Sequence, residues 1–155
     1  MDEQIDILKG LMNGEYYSFK GEFYDIPELK LCPTPSKAVP ILIGGHSKLA
    51  LKRAARIGDG WISAGITLDE TKEFIDQINI FRKEYGTLDH PNYQFQVMGE
   101  AAYSPDGIKN LEDLGATEVI VAFRNAYEGG KDERTLDGMI AEMNWYAEEV
   151  INKSR

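Results

Sequence analysis

The chain has 155 residues, 43% of them hydrophobic and 28% charged, with 17 Lys and Arg against 26 Asp and Glu. That length predicts one domain able to bury a core, and the even spread of aromatic and branched residues excludes a disordered chain. The net charge of −9 argues against a nucleic-acid partner, whose phosphates call for clustered Lys and Arg.

The start, Met1-Asp2-Glu3-Gln4, is acidic and lacks the apolar stretch of a signal peptide. Nowhere does an apolar run approach the ~18 residues of a membrane helix, so no membrane contact is expected. Ile5, Leu8, Leu11 and Met12 recur at helical spacing, and Asn13-Gly14 supplies a stop. Residues 1–14 therefore read as a helix with no strand before it. Tyr16 to Phe19, a Lys20-Gly21 turn and Glu22 to Ile26 read as a β-hairpin rich in aromatics. Pro27, Pro33, Pro35 and Pro40 punctuate an extended connector, so residues 15–40 are hairpin and linker. The single cysteine, Cys32, lies in that linker. It allows no internal disulfide and points to a reducing, cytoplasmic setting. No thiolate-stabilising neighbour stands beside it, which favours an inert thiol.

From residue 41 to 155 the pattern becomes four strand-helix units. Ile41-Leu42-Ile43 is a short apolar strand ending in Gly44-Gly45, and Ser47 caps a helix over Lys48 to Ile57 that Gly58 ends. The basic cluster Lys48 to Arg56 reads as the solvated face of this helix. Trp61 to Ala64 is a second strand. Thr67-Leu68-Asp69-Glu70 has capping-box spacing and opens a helix burying Phe74, Ile75, Ile78, Phe81 and Tyr85, with Gly86 at its end. A third strand is predicted from Tyr93 to Ala101. A short helix from Ser104-Pro105 follows, with Ile108, Leu111 and Leu114 inward and Gly115 behind it. The fourth strand is predicted as Glu118 to Phe123. The closing helix, Thr135 to Ile151, would bury Met139, Ile140, Met143, Ala147 and Val150. Nearly all-apolar strands alternating with helices mean an α/β protein with a parallel sheet. An open doubly wound sheet and part of a (β/α)8 barrel both satisfy this pattern.

The sharpest local feature is Ile41-Leu42-Ile43-Gly44-Gly45-His46-Ser47. A strand ending in two glycines at a helix start offers backbone N–H groups and a helix dipole to an anion. It is neither a G-x-G-x-x-G fingerprint nor a Walker loop, and glycine also serves tight turns for geometry alone. His46 reads as a ligand contact or a surface residue ahead of a catalytic group, and His90 as a surface residue. Arg124, after the fourth strand, suits either an anion clamp or an ion pair with Asp132 or Glu133. Glu100 reads equally as an inward carboxylate or an exposed one. No metal-ligand spacing and no G-x-S-x-G elbow is present, so no metal is expected and the catalytic residues remain unassigned. Read from its residues alone, this is a phosphate-binding α/β protein.

The segment Pro33–Trp61, PTPSKAVPILIGGHSKLALKRAARIGDGW, closely resembles the bacterial luciferase-like monooxygenase family. There a Pro-rich connector leads into an apolar strand, a Gly-Gly turn and an Ala-Arg-rich helix ending in Asp-Gly-Trp. Gly14 to Tyr24, Ala126-Tyr127-Glu128-Gly129-Gly130 and Asn144-Trp145-Tyr146-Ala147 are also similar to members of it, the last two to deazaflavin-dependent ones. The resemblance implies residues 1–155 are a single partial domain, the C-terminal half of a (β/α)8 TIM barrel. In it, four parallel strand-helix units follow a helix and a β-hairpin insertion. It implies FMN or a deazaflavin coenzyme, with Gly44, Gly45, His46, Ser47 and Arg124 as cofactor-binding candidates. His46 departs from the small or hydroxyl residue usual there. The family's first four strands have no counterpart, and a barrel takes ~200 residues or more. The expected function is therefore a flavin- or deazaflavin-dependent oxidoreductase, by monooxygenation or hydride transfer, completed as a homo-oligomer or by a separate N-terminal half-barrel chain. The alternative is an inactive half-barrel acting as a structural or phosphate-ligand-binding protein.

Overall fold

A computed structural model describes residues 1–124 and 133–154. Residues Asn125 to Gly130 and Asp132 lie outside the described residues.

Helix α1 (Asp2–Met12) leads into a hairpin of β1 (Tyr17–Lys20) and β2 (Asp25–Leu29). Pro27 sits inside β2 rather than in the linker, a position open to proline in a two-stranded ribbon where one side of each strand is unpaired. The Glu3 carboxylate of α1 accepts the backbone N–H groups of Glu22, Phe23 and Tyr24 at 2.7 to 3.3 Å. One side chain thus closes the hairpin onto the helix.

The second sheet is parallel, in the order β3 (Leu42–Gly44), β4 (Gly60–Ile62), β5 (Gln94–Val97) and β6 (Glu118–Val119). Helices α2 (Lys48–Ile57), α3 (Leu68–Tyr85), α4 (Pro105–Asp113) and α5 (Leu136–Tyr146) alternate with its strands. Register aligns Ile43 with Trp61 and Phe95 on the face that α2 and α3 cover. Those side chains join Ala54, Ile75, Ile78 and Leu111 in one core. Each fully buried large apolar side chain contributes about 1.5–3 kcal/mol. Alternation puts the next row, Gly44, Ile62, Gln96 and Glu118, on the opposite face. There Gln96 Nε2 donates to Glu118 Oε2 at 2.6 Å. This is the half-sheet of four strand-helix units expected from the pattern.

Caps fall where the spacing predicts them. Ser47 Oγ accepts from Ala50 N–H, and Thr67 and Glu70 form a complete capping box. Gly86 ends α3 in the left-handed region.

Other expectations are corrected. The third strand stops at Val97, and Glu100–Tyr103 is a 3-10 turn instead. The fourth strand is only Glu118–Val119, because it pairs on one side through Gln96 and Val97. Tyr85 is exposed, while Arg82 is buried at 6% exposure in its place. Its guanidinium donates to Asn79 Oδ1 and to the carbonyls of Thr87 and Leu88, and lies 3.9 Å from the Tyr93 ring centroid. Its two terminal nitrogens are satisfied while Nε, buried, has no hydrogen-bond partner among the described residues, and the stem fills the core. The closing helix buries Tyr146 and Val150, not Ile140 and Met143, which are exposed. It reaches the rest of the fold through the Tyr146 hydroxyl on the Ala102 carbonyl at 2.8 Å. The backbone then passes through a π turn, Ala147–Ile151.

Asp59 explains the start of Asp-Gly-Trp. Its carboxylate accepts Ile41 N–H at 2.8 Å and faces Lys9 Nζ at 3.2 Å and His90 Nε2 at 3.4 Å. It locks the linker, α1 and the loop before β5 at the N-terminal end of the sheet. His90 is exposed, as expected of a surface residue, and lies edge-on to Tyr93.

Candidate functional site

The C-terminal end of β3 forms the candidate site. Gly45 holds φ at +111°, a region that side-chain-bearing residues rarely enter. Gly44 differs: a Cβ built there meets only Ile62 Cγ2 at 3.5 Å and Ile62 O at 3.9 Å, ordinary contacts. Among the described residues nothing requires glycine at 44. Its missing side chain leaves clearance on the sheet face that carries Ile62 and Gln96.

The turn is held from beneath. Trp61, fully buried, donates its indole N–H to Gly45 O at 2.9 Å. The Ser47 hydroxyl is committed to the Ala50 N–H, so it acts here as a helix cap. Helix α2 has no acidic residue in its first turn. Its dipole, about half a positive charge, is therefore unopposed by a carboxylate in that turn. Lys48 and Leu49, the first two residues of α2, carry N–H groups that α-helical geometry leaves without an intrahelical acceptor.

His46 turns toward the helices. Its ring stacks on Phe74 at 5.1 Å with an interplanar angle of 16°, and lies 6.1 Å from Trp61. Its Nε2 accepts the Ala64 N–H at 3.4 Å. The imidazole thus links the β3 turn to the loop after β4. Glu70 in the capping box is held below the usual carboxylate range by its hydrogen bonds to the Thr67 backbone and hydroxyl, with a smaller pull from His46.

Gly44, Gly45, His46 and Ser47 therefore form one turn, and Arg124 stands apart. It is exposed, beyond β6 on the far edge of the same sheet. Two strands intervene, a separation of roughly 14 Å at ~4.8 Å per strand. Glu100 opens the 3-10 turn and is exposed. Among the described residues no group of three His, Cys, Asp or Glu side chains converges as a metal site. None of their helices is long and apolar enough to cross a membrane.

Trp61 supports the turn, a role that the strand pattern around it does not reveal. Its signal was present in the Asp59-Gly60-Trp61 tripeptide, where an indole beside a Gly-Gly turn needs a buried acceptor. Ser63 is equally silent in the sequence: its buried hydroxyl accepts the Met98 N–H at 3.0 Å and joins the ends of β4 and β5.

The sequence model of a family described as luciferase-like monooxygenase matches residues 1–133. An uncharacterized protein of Mycobacterium tuberculosis is 42% identical over 153 residues, 99% of this chain and 52% of that protein. The FMNH(2)-dependent dimethylsulfone monooxygenase of Pseudomonas fluorescens is 31% identical over 77 residues, 50% of this chain and 21% of that enzyme. Among solved structures, an F420-dependent secondary alcohol dehydrogenase in complex with an F420-acetone adduct superposes with a TM-score of 0.55 at 19% identity. The match covers 62% of this chain and 29% of that one. The chain spans about half the length of the mycobacterial relative.

Proposed function

The chain belongs to the luciferase-like monooxygenase family, and on that premise we propose that it forms the C-terminal half of an oxidoreductase using FMN or a deazaflavin. Its reaction would be monooxygenation or hydride transfer. The observation that carries the reading is the clearance at Gly44, a cradle that a Cβ would fill although no contact among the described residues demands glycine there. The donors fit a phosphate-bearing cofactor tail: backbone N–H groups at a helix start with no acidic residue in its first turn. When bound, the flavin supplies the redox chemistry.

In this reading Gly44 and Gly45 let the backbone approach the phosphate. Ser47 holds the first turn of α2 open to it, and His46 fixes the turn against the loop after β4. Arg124, on the opposite sheet edge, would reach a different part of the ligand. The row Gly44, Ile62, Gln96 and Glu118 would face the barrel interior. Strands pairing with the edges of β3 and β6 would complete the barrel, from a second copy, a separate N-terminal half-barrel chain or further residues of the same polypeptide. A second reading, an inactive half-barrel that binds a phosphate ligand, draws on the same turn and on the open sheet face.

Titration with FMN and with a deazaflavin coenzyme tests the proposal. One of them should change its fluorescence on binding, and Gly44→Val should weaken that binding at least about tenfold by blocking backbone approach. Valine suits a strand, so the fold should survive. No response to either flavin overturns the cofactor assignment. Binding unchanged by Gly44→Val overturns the turn's role, and binding without redox turnover by the completed barrel favours the second reading.

A further inference from the structure

A cavity of about 750 Å³ opens at the C-terminal end of the sheet, lined by Gly65 to Thr67 from the loop after β4, by Leu68 and Asp69 from the start of α3, and by Glu100 and Ala101 from the 3-10 turn after β5. Both loops leave the C-terminal end of the sheet. Ala64, immediately before this lining, is the residue whose N–H reaches His46. The cavity lining therefore begins one residue beyond the contact that ties His46 to the loop after β4.

Its walls are built into the backbone. Ile66 N–H donates to the Met98 carbonyl at 3.2 Å, drawing one loop onto the other. That approach needs glycine at 99, where a Cβ would lie 2.3 Å from the Ile66 carbonyl oxygen. The far wall is pinned likewise: a Cβ on Gly107 would lie 2.0 Å from the Ala101 carbonyl oxygen, so α4 seats directly against the turn carrying Glu100. Two side-chain-free contacts thus set the width of the cavity.

The lining is apolar at Ile66, Leu68 and Ala101, and acidic at Asp69 and Glu100. None of the described residues that line it is basic. Neither carboxylate has a hydrogen-bond or ion-pair partner among the described residues. The N-terminus of α3 borders the cavity and would otherwise attract an anion. There the Glu70 carboxylate already takes the Thr67 N–H at 2.8 Å, and Asp69 adds a second negative charge in the first turn.

We infer that this cavity is a ligand site for a compact molecule carrying a protonated amine on an apolar body, and that it excludes carboxylates and phosphates. The apolar wall buries the hydrocarbon part, and Asp69 and Glu100 accept the ammonium hydrogens. A neutral alcohol of the same shape keeps the hydrogen bonds without the charge attraction, and an anion meets two like charges. The inference deepens the oxidoreductase reading, on which it rests for calling this ligand a substrate.

The test uses the full chain, uniformly labelled with 15N, and three probes of matched shape: cyclohexylmethylamine, cyclohexylmethanol and cyclohexanecarboxylate. Amide shifts of residues 65–69 and 99–101 report on the cavity, and those of residues 44–45 on the flavin turn. The amine should shift the cavity amides saturably, the alcohol more weakly, and the carboxylate not at all. Asp69→Asn and Glu100→Gln should each weaken the amine by up to about fivefold and leave the alcohol unchanged. Both positions are exposed, and unshifted core resonances confirm that the variants fold. A carboxylate binding as well as the amine overturns the inference. So does a cavity that answers none of the probes, or amine affinity unchanged in the double variant. A flavin titration of the same sample separates the two proposals. Amine shifts without flavin shifts at residues 44–45 overturn only the cofactor reading, and the reverse pattern overturns only this one.

Discussion

The indole N–H of Trp61 donates to the carbonyl of Gly45 at 2.9 Å, so the centre of the core is tied directly to the turn proposed to hold a cofactor. A tryptophan with no exposed surface has two duties here, filling the space under α2 and α3 and holding a glycine in unusual backbone geometry. Trp61→Phe keeps most of the first and removes the second. It should cost about 2–3 kcal/mol, from lost volume and an orphaned acceptor. Urea denaturation measures the loss, and flavin affinity should fall with it. Full stability in the variant would show that the hydrogen bond is incidental.

Gly45 itself makes a sharper prediction. At φ +111°, and with a Cβ only 3.1 Å from the Ala50 Cβ, alanine is both strained and crowded. Gly45→Ala should destabilise the protein by about 1–2 kcal/mol, whereas Gly44→Ala should stay within about 0.5 kcal/mol. Thermal melts of the two variants side by side decide it. Equal losses would mean that the turn relaxes freely.

Tyr93 sets an alkaline limit on stability. Burial pushes its hydroxyl well above the usual phenol range, against an opposing pull from Arg82. Among the described residues that hydroxyl has no hydrogen-bond partner. In the unfolded chain the phenol ionises near pH ~10, while in the folded chain it keeps its proton. Above that pH the unfolded state binds fewer protons, so stability falls as pH rises. Tyr93→Phe should flatten this decline and leave stability at neutral pH unchanged or slightly higher. A decline of the same slope in the variant would assign it to other groups.

Glu3 governs the hairpin. Its carboxylate serves three successive backbone N–H groups, from Glu22 to Tyr24. Glu3→Ala leaves those donors to water and should cost about 1–2 kcal/mol. Amide hydrogen exchange at residues 22–24 should accelerate, while exchange in β4 and β5 stays slow. Unchanged protection at these amides would remove Glu3 as the clasp.

Much of the fold is legible from local chemistry. Ser47, Thr67 with Glu70, and Gly86 mark helix ends because a cap is a contact between near neighbours in the chain. Parallel strands are likewise visible as continuous apolar runs. Arg82 was not legible as a core residue. Its burial depends on carbonyls at Thr87 and Leu88 and on a ring at Tyr93, which come together only after the chain turns at Gly86. The lengths of β5 and β6 were also hidden, because a strand extends only as far as its neighbour pairs with it.

The candidate site divides in the same way. The Gly44-Gly45 turn, its capped helix and the resemblance to a flavin-using family are readable in the order of the residues, because each rests on residues adjacent in the chain. Folding in three dimensions alone stacks His46 on Phe74 rather than leaving it free, and sets Arg124 across the sheet from the turn. It also draws Glu100 and Asp69 to one cavity. Those relations span distant parts of the chain, and packing, not local propensity, sets them.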